Sequence, residues 1–72
     1  MQEQTRKVFA ERIRELRQQN NLSQMDLATL TGISQSAIAK WELEKTEPSA
    51  SAIVILAKYF NEPSDYLLGL SD

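Results

Sequence analysis

Two helix signatures lie back to back around a single glycine in the stretch LSQMDLATLTGISQSAIAKWE, residues 22–42. The first opens at Ser23, an N-cap residue whose hydroxyl can accept a backbone N–H, and Asp26 can reach back to complete a capping box. Leu22 and Leu27 occupy the staple positions on either side of that cap, and the helix stops at Gly32. The second opens at Ser34, with Ile33 and Ile38 as its own staple. Only about three residues separate the two helices, so they must cross steeply with their backbones close together. Ala28 is small enough to permit that approach, Gly32 can take a positive φ, and Ile38 plugs the pair into a core. Few folds can absorb two helices hinged so tightly.

Similar punctuation divides the rest of the chain, giving five short helices in all. A first helix is predicted from about Arg6 to Asn20, with Phe9, Ile13 and Leu16 on one face. Asn20 and Asn21 suit its end, since Asn tolerates the left-handed conformation better than most residues. After ELEKTEP a fourth helix begins near Ser49 and turns Ile53, Leu56, Ala57 and Phe60 inward. A fifth starts at PSD, with Pro63 in its first turn, and ends at Gly69. Neither strand alternation nor an internal repeat appears. The reading is an all-α fold in one domain over residues 1–72, with 1–5 a disordered arm and 70–72 a tail. Its predicted core is Phe9, Ile13, Leu16, Leu27, Ile38, Trp41, Leu56 and Phe60.

A chain of 72 residues supports one small core. It has no cysteine and no histidine, so disulfides, thiolate ligands and the commonest general base are all missing. With no glycine-rich phosphate loop and no inward carboxylate pair either, an enzyme has almost nothing to work with, and no metal or cofactor is expected. No apolar run approaches the roughly 20 residues that span a bilayer. The opening MQEQTRKVFAERI lacks the apolar segment of a secretion signal, so the chain reads as cytoplasmic with no membrane partner.

The net charge of −2 conceals an uneven distribution. Residues 1–20 carry five basic groups (Arg6, Lys7, Arg12, Arg14, Arg17) against three acids (Glu3, Glu11, Glu15). Residues 46–72 carry one basic group (Lys58) against four acids (Glu47, Glu62, Asp65, Asp72). Attraction to phosphate is local, within a Debye length of about 8 Å at physiological salt, so the total neither supports nor excludes a nucleic acid.

The helix after Gly32 has an unusual outer face. Its apolar side is Ile33, Ala37, Ile38 and Trp41; the opposite side holds Gln35, Ser36, Ala39, Lys40 and Leu43. That outer face is slim or hydrogen-bonding and has no long acid. The Ala28–Gly32–Ile38 spacing is that of a helix-turn-helix. Joined to Gln24, the WE pair at 41–42, Pro48 in KTEPSASAIVILAKYF and the closing DYLLG, it resembles the lambdoid phage repressor and Cro type of helix-turn-helix, the XRE family. The resemblance runs over roughly residues 8–69 and includes all five helices in order.

That resemblance implies a sequence-specific double-stranded DNA-binding transcriptional regulator, most simply a repressor. The third helix would enter the major groove with its N-terminal residues at the base edges. A groove about 12 Å wide admits a helix only behind a slim, hydrogen-bonding face. Gln35, Ser36, Ala39 and Lys40 are the implied base contacts. A Gln amide can pair bidentately with adenine N6 and N7, though Gln35 could also be an ordinary solvated amide. Ser36 can bond a base or a phosphate, Lys40 a guanine or a phosphate, and Ala39 offers a thymine methyl contact or simple clearance.

Phosphate contacts set register, not sequence. The implied set is Arg17, Ser23, Gln24, Leu43, Lys45, Thr46 and Ser49. Ser23 and Gln24 stand at a helix N-terminus, whose free N–H groups favour an anion. The resemblance also implies that Gln24 braces Gln35 and that Arg17 and Glu42 form an ion pair, two residues that would otherwise read as ordinary solvated charges. Leu43 departs from the polar residue usual in the family and could meet a thymine methyl, a sugar or a protein. Relatives bind a two-fold operator as homodimers through the fifth helix, here Ser64, Tyr66 and Leu67, with Leu70 nearby. Further departures are Leu30-Thr31, Glu44 in place of a common glycine, and Glu62 in place of an apolar residue. The competing reading is a protein-interaction module, or an antitoxin-type domain with a protein partner; exposed Leu30, Ile55 and Tyr59 in one patch would favour it.

Overall fold

A computed structural model describes residues 1–71. It contains α1 (Glu3–Gln19), α2 (Gln24–Thr31), α3 (Gln35–Glu42), α4 (Ala50–Phe60) and α5 (Ser64–Leu68), and no strand among the described residues. None of these helices is long and apolar enough to cross a membrane.

The helix starts follow the serines. Ser23 accepts from the Asp26 N–H at 3.0 Å, and Asp26 Oδ2 accepts from the Ser23 N–H at 3.0 Å, a complete capping box. Ser34 and Ser49 cap α3 and α4 by accepting from the Ala37 and Ala52 N–H groups. The first helix is the exception. It begins at Glu3 and not near Arg6, so most of the arm expected over residues 1–5 is helical. Gln2 caps it without a side-chain bond, and Glu3 lies in the first turn, where a negative charge favours the helix dipole. Pro63 likewise sits one position before α5, as its N-cap. Of the tail expected over 70–72, position 72 lies outside the described residues.

Helix ends use left-handed residues. Asn21, Gly32, Glu44, Asn61 and Gly69 all have positive φ. At Gly69 the small residue is also required by space, because a Cβ there would lie 2.7 Å from Val8 Cγ1 of α1.

The core joins Phe9, Ile13 and Leu16 of α1 to Leu27, Ile38, Trp41, Ala52, Leu56 and Leu67. Phe9 and Trp41 meet edge to face with centroids 5.6 Å apart, locking α1 against α3. Helix α1 packs on α3 and α5, α2 on α3 and α4, and α4 on α5. Of the four α4 residues expected to turn inward, only Leu56 is buried; Ile53, Ala57 and Phe60 are half-buried, the last two packed at the core's margin.

The structure corrects one expected dimer contact. Leu67 is completely buried, at 0% exposure. In a five-residue helix one side chain must anchor α5 to the core, and Leu67 is that anchor, unavailable to a partner. Tyr66 is half-buried beneath the Arg12 guanidinium, 4.1 Å from its ring centroid. Ser64 and Leu70 are exposed.

Candidate nucleic-acid interface

The fold holds α3 by its inner side and leaves the opposite face open. Ser36, Lys40 and Leu43 are exposed, and Gln35 and Ala39 are half-buried between them. The slim face read from the sequence is thus an outer surface, contiguous at the spacing of successive turns.

Gln35 is half-buried because its amide is tied down. Its Nε2 donates to Gln24 Oε1 at 2.9 Å, and Gln24 Nε2 donates to Glu42 Oε1 at 3.2 Å. Glu42 is buried at 5% exposure and receives a two-pronged bond from Arg17. Nε donates to Oε2 at 2.8 Å and Nη2 to Oε1 at 2.9 Å, the fork geometry at which an Arg–carboxylate pair is strongest. Arg17 Nη1 also donates to the Leu22 carbonyl at 2.8 Å, clamping the turn between α1 and α2. The Arg17 side chain is only 14% exposed, so it faces Glu42 and holds the frame; little of it is left for the phosphate contact expected of it.

Burial alone would push the Glu42 carboxyl up. Hydrogen bonds from Arg17 and Gln24, with the charges of Arg17 and Arg14, outweigh that and hold it below its ordinary value. The bond to Glu42 raises Arg17 in turn. A charge so shielded must be compensated, and here it is.

Sequence reasoning missed Arg14. Its Nη2 donates to the Glu42 backbone carbonyl at 2.7 Å, and its Nε lies 3.6 Å from Glu42 Oε1. A cation there satisfies an end carbonyl of α3 and complements the helix dipole. The available signal was its position one turn before Arg17 on α1.

The expected phosphate contacts fall into two groups. Ser23 and Gln24 stand at the start of α2, beside Gln35. A surface cleft of about 490 Å³ between α3 and α4 gathers Ser36, Lys40, Thr46 and Ser49 along its lining. Both Ser23 and Ser49 use their oxygens as acceptors for capping, which leaves each O–H free to donate. Lys45 is exposed in the loop that follows α3. Glu47, an acid beside these residues, pairs with the N-terminal ammonium of Met1, whose hydrogen bond and charge hold its carboxyl below the ordinary value. Ser64, Tyr66 and Leu70 belong to α5 and the residue run beyond it, apart from this face. Among the described residues no group of three or more acids could hold a metal ion.

Comparison with known proteins agrees with this architecture. The family model described as Helix-turn-helix matches residues 13–67, from the middle of α1 to the anchor of α5. The chain belongs to the helix-turn-helix family. Within it, the domain is of the XRE type that the sequence resembles. An uncharacterized HTH-type transcriptional regulator of Bacillus subtilis (strain 168) is 35% identical over 65 residues, 90% of this chain and 58% of the relative. Repressor protein C2 of Salmonella phage P22 is 36% identical over 61 residues, 85% of this chain and 28% of the relative. The HTH-type transcriptional activator BcrR of Enterococcus faecalis is 37% identical over 60 residues, 83% of this chain and 29% of the relative. The helix-turn-helix chain therefore spans little more than half of the first relative and under a third of the other two. No solved structure matches it at comparable stringency.

Proposed function

We propose that this helix-turn-helix domain binds double-stranded DNA in a sequence-specific manner and regulates transcription, as a repressor. Helix α3 enters the major groove. Gln35, Ser36, Ala39 and Lys40 meet base edges, and Ser23, Gln24, Lys45, Thr46 and Ser49 grip the flanking phosphates, with Leu43 on a sugar or a thymine methyl. Two copies bind a two-fold operator, meeting through Ser64, Tyr66 and Leu70. The observation that carries this reading is the braced amide of Gln35 at the leading end of an otherwise slim face. An ordinary solvated glutamine has no need of a partner chain running back to a buried ion pair. The phage relative named a repressor supports the direction of regulation, and a relative named an activator makes that direction worth testing on its own.

The experiment is in vitro selection from random duplex DNA at low salt, where phosphate attraction is strongest. We expect an enriched two-fold motif with one position that relaxes in Gln35→Ala, by about 1–3 kcal/mol of discrimination. A motif indifferent to Gln35 would overturn the assignment of roles. No enrichment would overturn DNA binding and favour the second reading, a protein partner; Leu30, Ile55 and Tyr59 are each exposed.

A further inference from the structure

The chain of side chains behind Gln35 has a direction. An ionised carboxylate can only accept hydrogen bonds, whereas a carboxamide has a donor end and an acceptor end of nearly the same shape. Glu42 therefore requires the –NH2 of Gln24 to face it, as it does at 3.2 Å. That turns the Gln24 carbonyl outward. A carbonyl also only accepts, so the –NH2 of Gln35 must face it, as it does at 2.9 Å. What remains free on Gln35 is its second N–H and its Oε1. The anion at one end of the chain sets the order of donor and acceptor at the other.

We infer that Glu42 is a specificity-determining residue, which acts through Gln24 to fix the direction of the Gln35 amide and hence the base that Gln35 accepts. The inference rests on the DNA-binding reading given above. Adenine offers N7 as acceptor beside N6–H as donor, while guanine offers two acceptors and thymine one acceptor and a methyl group. An amide of fixed direction matches adenine on one strand in one register. A freely flipping amide presents the reversed order equally well and satisfies other bases in part. Glu42 never touches DNA; it is a positioning residue, anchored by Arg17 and Arg14 so that its charge persists and its carboxylate cannot rotate away.

The test compares selected motifs and measured affinities for wild type, Glu42→Gln, Gln24→Met and Gln35→Ala, with thermal unfolding of each. Glu42→Gln keeps the shape of the side chain but supplies a group that can both donate and accept, releasing Gln24 to face either way. At the position that depends on Gln35, a bidentate pair sets preference for adenine at about 5- to 150-fold over the next base. We expect Glu42→Gln to reduce that preference to within about threefold, leaving other positions of the motif unchanged. In the Gln35→Ala background it should change nothing further at that position. Gln24→Met should give the same local relaxation with the Arg17–Glu42 pair intact, beside a uniform loss from its own phosphate contact. If Glu42→Gln fails to fold, retention of the preference in Gln24→Met overturns the inference, because Glu42 reaches Gln35 only through Gln24. A uniform loss of affinity across all sequences, with the Gln35-dependent preference retained in both variants, would make Glu42 a structural residue only and overturn the inference. Absence of any wild-type motif would instead overturn the DNA reading, and this inference with it.

Discussion

At the scale of single residues, Glu42 joins the stability of the fold to the proposed reading of bases. Its carboxylate is almost closed to solvent, receives hydrogen bonds from Arg17 and Gln24, and lies 3.6 Å from Arg14 Nε. Because its folded-state pKa is depressed, the folded chain binds fewer protons than the unfolded one in the acid range. Its contribution is thus fully present above the ordinary value of 4.5 and disappears as pH falls through the depressed value. Asp26, held down by its capping bonds to Ser23, acts with the same sign. We expect wild-type unfolding stability, followed by urea titration at a series of pH values, to fall below about pH 4.5. In Glu42→Gln the curve should start lower and fall less steeply over that window. Parallel curves for the two proteins would show that Glu42 has no protonation-linked role. The sequence made Arg17–Glu42 legible only through family resemblance. Nothing in composition or spacing says that two charges 25 positions apart will be buried together, and Arg14 carried no signal beyond a shared helix face.

At the scale of elements, helix starts were legible and one was not. Ser23, Ser34 and Ser49 announce α2, α3 and α4 because a side-chain oxygen must replace the missing intrahelical partner of the first N–H groups. No such residue marks α1, whose first turn has a glutamine cap and a solvent-facing sequence, so its start at Glu3 could not be read. The end of α3 is a different case. Glu44 occupies a position with φ of 62°, where the family commonly has glycine. The backbone has kept the left-handed turn, and its N–H still reaches the Trp41 carbonyl at 2.9 Å. The glutamate must tolerate a conformation that costs an L-residue about 1–2 kcal/mol, part of which glycine would return through its looser unfolded state. Glu44→Gly should therefore stabilise the domain by about 0.5–1 kcal/mol in denaturant unfolding. A loss of stability would mean that the Glu44 side chain contributes an interaction that offsets its backbone strain.

At the scale of the whole molecule, the division between core and surface on α5 limits which residues the proposed dimer can use. Periodicity alone could not separate Leu67 from Leu70, because both are leucines at the end of an apolar run and the helix is only five residues long. The difference arises from Gly69, whose left-handed turn against Val8 redirects the chain outward after Leu67 has entered the core. The two leucines should accordingly fail in different ways. Leu67→Ala removes a fully buried side chain and should cost about 2–5 kcal/mol, a large share of the stability of so small a domain. Leu70 is 73% exposed, and Leu70→Ala should leave the monomer's unfolding within about 0.5 kcal/mol of wild type. Its effect should appear only when two copies occupy adjacent half-sites. Titrating duplexes that carry one or two half-sites, once a motif has been selected, separates the alternatives. Weakened binding to the paired site with an unchanged single site puts Leu70 at the dimer contact. Equal binding of wild type and Leu70→Ala to the paired site would mean that the two-fold contact uses another surface. The basic front read from the sequence then also takes on a different meaning. Arg14 and Arg17 are committed to Glu42, and Arg12 lies over Tyr66, so these cations bind the bundle together before they meet any phosphate. On the proposed reading, DNA affinity rests on the few exposed groups of α3 and its loop, Lys40 and Lys45 foremost, and on two copies acting together.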